Sequence, residues 1–315
     1  MNLKQASLEY VASKQSMGMR FKAEATILSA FVKQMSDTVA VAAVTSANVT
    51  HYLTGGKAEP LTLFWHRKHE ALKGFWEFAI RRGYTDRSPV PVRRAQEPVR
   101  FAPYIYSREE LKRLLDGVAS YQKKLVKLEP ITLRSMLLLI YGAGLRASEA
   151  LHLTCGDVDL SALTLTIRVS KFYKTRRIAL NTQLCSVLAE YGHNRRQGEH
   201  DRSDAAPFFT YKDGGAVVNW ALDDAFQRLR NHVGVKRQNA RYQPRIHDLR
   251  HTFAVHRLTE WYRTGADVQS LLPGLSTHLG HVCLKGTQRY LTMTPELLAE
   301  ASLRFEGYAK EVLHG

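Results

Sequence analysis

The segment over residues 83–103 constrains the fold of this chain more than any other, because it carries four prolines and four arginines. Proline fixes the backbone φ angle and has no N–H donor, so a run of this kind cannot continue a helix or a central strand. We therefore predict an extended basic linker over 83–103, which separates a domain over 1–82 from a second domain over 104–315.

The charge balance indicates a polyanionic partner. The 315 residues include 45 Lys and Arg against 29 Asp and Glu, which gives a formal net charge of +16. Cationic side chains that neutralise phosphates release counterions and gain affinity, so nucleic acid is favoured over the alternative of a basic protein with another role. Within the linker, Arg93 and Arg94 are candidates for contacts with DNA phosphates.

The sequence also limits the compartment. The three cysteines are widely spaced and form no CxxC pair, which argues against a disulfide framework. The first twenty residues lack the apolar core of a signal peptide. The apolar stretch over 135–145 is too short to span a bilayer. We expect a cytoplasmic protein without a membrane partner, associated with the nucleoid when bound to DNA.

Hydrophobic periodicity predicts a mainly α protein of the α+β class. Residues 1–82 show helical spacing, and Ser107 with Glu110 forms a capping-box pattern that opens a helix in the second domain. Side-chain character alternates over 163–169 as in a β-strand, and residues 177–180 form a second strand-like segment. The two segments predict a small antiparallel sheet. The polar and basic residues between these strands predict a hairpin tip.

Two arginines lie three residues from a polar partner, a spacing that places both side chains on one helix face. Arg146 precedes Glu149, and Arg250 follows His247. The simpler interpretation is a surface ion pair and a structural histidine. In the alternative, Glu149 orients an Arg146 guanidinium that binds two phosphate oxygens. His251 lies four residues after His247, but the intervening residues lack the glutamate of a zinc-hydrolase motif, so we expect no metal.

A lysine and a tyrosine complete the set of candidates. Lys171 lies at the predicted hairpin tip, where it could contact DNA or protonate a leaving oxygen. Tyr290 follows His281 by nine residue positions. A phenol with a pKa of about 10 is a poor nucleophile, but cationic donors around a phosphodiester can activate it. Each signal is weak alone, and their order along the chain carries the hypothesis.

That order resembles the tyrosine recombinase, or phage integrase, family. The resemblance covers residues from about 104 to 300, and the preceding helices resemble the family's core-binding domain with weaker support. Four local patterns carry it: GLRASEAL over 144–151, SKFYKTR over 170–176, HDLRHTFA over 247–254, and LGH over 279–281 followed by Tyr290.

The resemblance implies a role for each matching residue. Tyr290 would attack the phosphorus and form a 3′-phosphotyrosyl bond, and Lys171 would act as general acid on the 5′-oxygen. Arg146 and Arg250 would hold the non-bridging oxygens. The supporting roles fall to His247 as general base, His281 as a hydrogen-bond donor to the phosphate, and Glu149 as the support of Arg146.

The chain departs from the family pattern at two places. Ser170 stands where the family often has glycine, so Lys174 remains an alternative to Lys171, and Lys174 and Arg176 are also candidates for DNA contact. The segment before His281 is longer than usual, which leaves His278 as a weaker competitor and resembles transposon-borne recombinases.

We therefore expect a site-specific recombinase that integrates, excises or transposes a mobile element. Its expected partners are double-stranded DNA recombination sites, further copies of itself in a tetrameric synapse, and possible partner recombinases. The covalent chemistry requires no metal, ATP or other cofactor. Two alternatives stay open at this point: a type IB topoisomerase, and a catalytically silent DNA-binding accessory protein.

Overall fold

The computed structural model describes residues 1–36, 38–55, 63–92, 102–121, 127–168, 175–196, 201, 203–238 and 242–303. The chain divides into two compact units, residues 1–101 and 102–315. The division falls within the segment predicted to be a linker.

The described part of the first unit is helical. Its core contains the aromatic side chains of Phe31, Phe75 and Trp76, each at most 1% exposed. The rings of Phe31 and Trp76 meet edge-on, with centroids 5.7 Å apart. The elements are α1 (Leu3–Ser16), α2 (Lys22–Met35), a 3-10 helix (Val41–Ala43), α3 (Ser46–Thr54) and α4 (Leu63–Arg81).

The first part of the predicted linker is packed against this unit. Tyr84 and Val90 are partly buried against its core. Nε2 of His69, on α4, lies 2.8 Å from the carbonyl oxygen of Pro91. The fold of the first unit therefore continues past residue 82, because apolar side chains in this segment find partners on α4.

The second unit combines helices with a small sheet, as the sequence predicted. Its three antiparallel strands lie side by side in chain order, and Ile167 lies opposite Arg176 in the register. In the described parts of the chain, no helix combines the length and the apolar character needed to cross a membrane.

The first elements of the second unit are α5 (Arg108–Tyr121), α6 (Pro130–Gly142), α7 (Ala147–Leu151), a 3-10 helix (Cys155–Asp157), β1 (Val158–Asp159), β2 (Thr164–Ile167) and β3 (Arg176–Ala179). The later elements are α8 (Thr182–Arg196), α9 (Asn219–His232), α10 (Asp248–Arg263), α11 (Val268–Leu279), α12 (Lys285–Gln288), a 3-10 helix (Arg289–Thr292) and a final helix, α13, that includes residues 295–303.

The predicted capping box begins α5. The backbone N–H of Glu110 donates to Ser107 Oγ at 3.1 Å, and the backbone N–H of Ser107 donates to the Glu110 carboxylate at 2.9 Å. These reciprocal bonds satisfy donors that a helix N-terminus otherwise leaves free.

Helix α11 has no counterpart among the sequence predictions, because Pro273 lies inside it. The helix begins at Asp267, whose carboxylate accepts hydrogen bonds from the backbone N–H groups of Gln269 and Ser270 at 3.0 and 3.2 Å. Leu272, Leu275 and two further apolar side chains then bury one face in a core shared with α10. Capping and burial outweigh the cost of the proline.

Candidate active site

The carboxylate of Glu149 lies at the centre of a buried cluster of three arginines. Arg146 Nη1 donates to Oε1 at 2.5 Å, and the backbone N–H of Arg146 donates to Oε2 at 3.0 Å. Arg176 donates from Nη1 and Nη2 at 3.0 and 2.9 Å, while Arg250 Nη1 lies 3.8 Å from Oε2. Burial alone would raise the pKa of Glu149, but the bonds from Arg176 and Arg146 lower it to about 2.

Arg250 is a buried cation held in a fixed position. Its side chain is 2% exposed. Nη1 donates to the carbonyl oxygen of Gly144 at 2.8 Å, and Nη2 donates to the carbonyl oxygen of Leu279. Burial, followed by the charge of Arg146, lowers the pKa of Arg250 to about 10, so it is still charged at neutral pH. A buried cation of this kind favours an anionic ligand.

The end of α11 positions both arginines. Arg146 Nη2 donates to the carbonyl oxygen of Gly280 at 3.2 Å, next to the Leu279 carbonyl that accepts from Arg250. Carbonyl groups at a helix C-terminus carry partial negative charge and lack helical partners. The helix end therefore accepts one hydrogen bond from each guanidinium and orients the pair.

Tyr290 lies beside these arginines and is buried. Its side chain is 1% exposed, and its hydroxyl lies 2.9 Å from Nδ1 of His251. Burial raises the pKa of Tyr290, while Arg250, Arg289 and Arg146 oppose this increase. The sequence suggested that cations would activate the phenol. In the free protein, loss of hydration outweighs them, so the phenol keeps its proton.

Two further histidines, His247 and His281, are neutral at pH 7. Burial and then Arg250 lower the pKa values of His247 and His281 to about 4. The His281 ring stacks on Tyr290 with centroids 6.1 Å apart, and its Nδ1 lies 2.7 Å from the hydroxyl of the buried Thr287. This contact fixes the orientation of the His281 ring.

The structure brings most of the predicted side chains together. Arg146, Glu149, Arg250, His281 and Tyr290 share one cluster through the contacts above. His247 joins it through His251, as the two rings meet edge-on with centroids 4.9 Å apart. Four of the predicted residues lie outside the described residues: Lys171, Lys174, Arg93 and Arg94.

Two predicted residues have different surroundings from those expected. Arg176, predicted to contact DNA, directs Nη1 and Nη2 to Glu149 and Nε to the carbonyl oxygen of His278 at 2.9 Å. His278, the alternative to His281, stacks on Phe253 and has Nε2 2.9 Å from the Ala143 carbonyl oxygen. Both side chains thus serve the internal structure.

His251 is the residue of this site that sequence reasoning missed. It was considered only as a zinc ligand beside His247. One signal was available, since a residue four positions after His247 lies on the same face of α10. Among the residues that the structure describes, no group of three or more His, Cys, Asp or Glu side chains could hold a metal ion.

A buried tyrosine hydroxyl beside two arginines and neutral imidazoles is suited to chemistry on a phosphodiester. Comparisons with known proteins agree. The phage integrase family model matches residues 106–296. The protein y4rB of Sinorhizobium fredii, described as an integrase/recombinase, is 33% identical over 319 residues, which is 96% of each chain.

Solved structures share the fold. The integrase of transposon Tn1549, solved with transposon right-end DNA, has a TM-score of 0.70 and 15% identity, over 98% of this chain and all of that one. A lambda integrase, solved as a tetramer on a Holliday junction, has a TM-score of 0.66 and 14% identity, over 92% and 77% of the two chains. The chain belongs to the phage integrase family of tyrosine recombinases. Its activity is site-specific DNA recombination.

Proposed function

We propose that Tyr290 is the nucleophile that cleaves DNA and holds the 3′ end as a phosphotyrosyl ester. The observation that carries the proposal is the position of the Tyr290 ring, in one cluster with the guanidinium groups of Arg146 and Arg250. A phosphodiester attacked by the phenol gains negative charge in the transition state, and fixed cations stabilise that charge without having to reorganise.

The other residues divide into those that contact the phosphate and those that support them. Arg146 and Arg250 hold the non-bridging oxygens, because each guanidinium is fixed by a backbone carbonyl. His247 and His281 contact the phosphate, and both imidazoles are neutral in the free protein. Glu149 fixes Arg146.

The acid that protonates the leaving 5′-oxygen is Lys171, with Lys174 as the alternative. Both belong to the segment between Ile167 and Arg176, which are paired across β2 and β3. This part of the proposal rests on the family resemblance, since the two lysines lie outside the described residues.

The proposed substrate is a pair of double-stranded DNA sites at the ends or targets of a mobile element, bound by four copies of this chain. Two observations support this: the fold is shared with a transposon integrase solved on transposon DNA and with an integrase solved as a tetramer on a Holliday junction. The excess of cationic side chains provides the affinity for DNA backbone. Religation to a new 5′-hydroxyl conserves the energy of the ester, so no ATP is needed.

A trapping experiment tests the nucleophile. The protein is incubated with a nicked suicide substrate, whose cleaved strand diffuses away, and the products are separated in SDS. Wild type should give an SDS-stable adduct, and Tyr290→Phe should give none while retaining DNA affinity. Tyr242→Phe, at an exposed tyrosine of the same unit, is the matched control and should react like wild type.

Two outcomes would overturn the proposal: no adduct with wild type, or an adduct with Tyr290→Phe. EDTA should leave the reaction unchanged. The target is identified by sequencing DNA that co-purifies with the adduct. Relaxation of plasmids that lack the recovered site, without exchange of strands between sites, would instead indicate a topoisomerase.

A further inference from the structure

The hydroxyl of Tyr290 and the imidazole of His251 form a buried pair. Nδ1 of His251 lies 2.9 Å from the phenol oxygen, and the ring centroids are 5.6 Å apart. His251 is 8% exposed and Tyr290 is 1% exposed. In a site with little access to water, a hydrogen bond of this length links the phenol directly to a group that can accept a proton.

The neighbouring groups are poorly placed for the same task. Arg250 faces the Tyr290 hydroxyl, but a guanidinium only donates hydrogen bonds and holds its own proton. His281 lies alongside the tyrosine ring, with its Nδ1 bonded to Thr287. His247, to which the family resemblance gave the role of base, packs its ring against His251.

We infer that His251 is a further catalytic residue, which accepts the proton of Tyr290 as the tyrosine attacks DNA. The inference rests on the proposed role of Tyr290. The bond from the phenol oxygen to phosphorus forms while the bond from phosphorus to the 5′-oxygen breaks. The phenol proton passes to His251 Nδ1, and the 5′-oxygen takes a proton from the acid, Lys171. Religation reverses both transfers.

The charges around His251 couple this transfer to DNA binding. Burial, and then the neighbouring His247, Arg289, Arg250 and Arg245, lower the pKa of His251 to about 3. The ring is therefore neutral in the free protein, and Nδ1 is able to accept a hydrogen bond. A phosphate bound at Arg146 and Arg250 adds negative charge beside these cations. The imidazolium then becomes easier to form, at the moment when the phenol has a target.

A substitution and a modified DNA separate this role from its alternatives. His251→Asn keeps an amide near the position of Nδ1, so it can hydrogen-bond the phenol but cannot hold its proton. The modified DNA is a suicide substrate that carries sulfur in place of the bridging 5′-oxygen at the cleavage site. A thiolate leaves without help from an acid, because its conjugate thiol is far more acidic than an alcohol. The sulfur substrate therefore does not restore cleavage to a variant that lacks the general base, but it does restore cleavage to a variant that lacks the general acid.

At pH 7, His251→Asn should form the adduct about a hundredfold more slowly than wild type, the size expected for loss of a general base, with DNA affinity within about threefold. The defect should persist with the sulfur substrate and shrink as pH rises and the phenol ionises unaided. Lys171→Ala is the matched comparison, and sulfur should restore its cleavage. With the sulfur substrate, wild type should also react about twofold more slowly in deuterium oxide, because proton transfer from the phenol limits the rate.

Three results would overturn the inference: adduct formation by His251→Asn within threefold of wild type, restoration of His251→Asn by sulfur, or a defect that is independent of pH. If His251→Asn fails to fold, the isotope effect decides, and its absence in wild type counts against His251. Failure of wild type to form any adduct is a different outcome, which removes the proposed function itself.

Discussion

The guanidinium of Arg176 and the carboxylate of Glu149 are joined by two hydrogen bonds, of 3.0 and 2.9 Å. Arg176 begins β3, immediately after the segment predicted to carry Lys171, whereas Glu149 holds Arg146. The pair therefore connects the strand that follows the proposed general acid to the arginine proposed to bind phosphate. The side chains are 9% and 6% exposed, so the bidentate geometry is shielded from water.

Arg176→Gln should impair both stability and cleavage, because it leaves the buried Glu149 carboxylate short of a charged partner. The free energy of unfolding should fall by about 3–5 kcal/mol, the usual cost of breaking a buried ion pair. Cleavage of the suicide substrate should fall at least about tenfold under conditions where the variant is folded. Arg177→Gln, at the exposed next residue of β3, is the control and should change stability by less than about 0.5 kcal/mol. Equal effects of the two substitutions would argue against a linking role for Arg176.

Gly280→Ala should disturb the same cluster from the opposite side. Gly280 has a φ of +65°, and an added Cβ would lie 2.8 Å from Nη1 of Arg176. Gly265→Ala is a matched control, since its φ is +72° but an added Cβ would meet no atom within 4 Å. Both substitutions should cost about 1–2 kcal/mol of backbone strain, measured by urea unfolding, and Gly280→Ala should cost more, because it also displaces Arg176 from Glu149. Only Gly280→Ala should also reduce adduct formation, by about tenfold or more, because it displaces the guanidinium that holds Glu149. Similar cleavage by the two variants would contradict this account.

The stability of the free protein should decrease as pH falls from 7 to 5. Burial lowers the pKa values of His247 and His281 to about 4, against about 6.5 in an unfolded chain. Between these values the unfolded chain binds more protons than the folded one, so the free energy of unfolding decreases as the pH falls, and the contribution of these two histidines levels off below pH 4. Urea titrations at several pH values measure the slope, which His281→Gln should reduce. A stability that rises on acidification over this range would contradict the placement of these histidines.

The sequence was sufficient for features that depend on local patterns. The capping box at Ser107 and Glu110 and the hairpin strands follow from spacing over a few residues. The cluster of Arg146, Arg250 and Tyr290 came from the order of motifs in the family resemblance. Hydrophobic periodicity could not have predicted that these residues lie together, because more than a hundred positions separate Arg146 from Arg250.

The remaining features depend on tertiary surroundings. The proline in α11 concealed a helix that capping and core packing stabilise. Arg176 lies in a basic run, where DNA contact was the natural expectation, but the buried Glu149 carboxylate attracts it. The sequence signal for His251 was limited to its spacing from His247, since its partner Tyr290 is 39 residues away. The upward shift of the Tyr290 pKa likewise depends on burial, which a sequence motif does not reveal.

The most direct test of the central claim is to identify the residue bonded to DNA in the trapped adduct. The adduct is digested with nuclease and trypsin, and mass spectrometry locates the nucleotide remnant. The account predicts a single modified residue, Tyr290, bonded to a 3′-phosphate, with a free 5′-hydroxyl on the released strand. A remnant on another tyrosine, or on a 5′-phosphate, would contradict it.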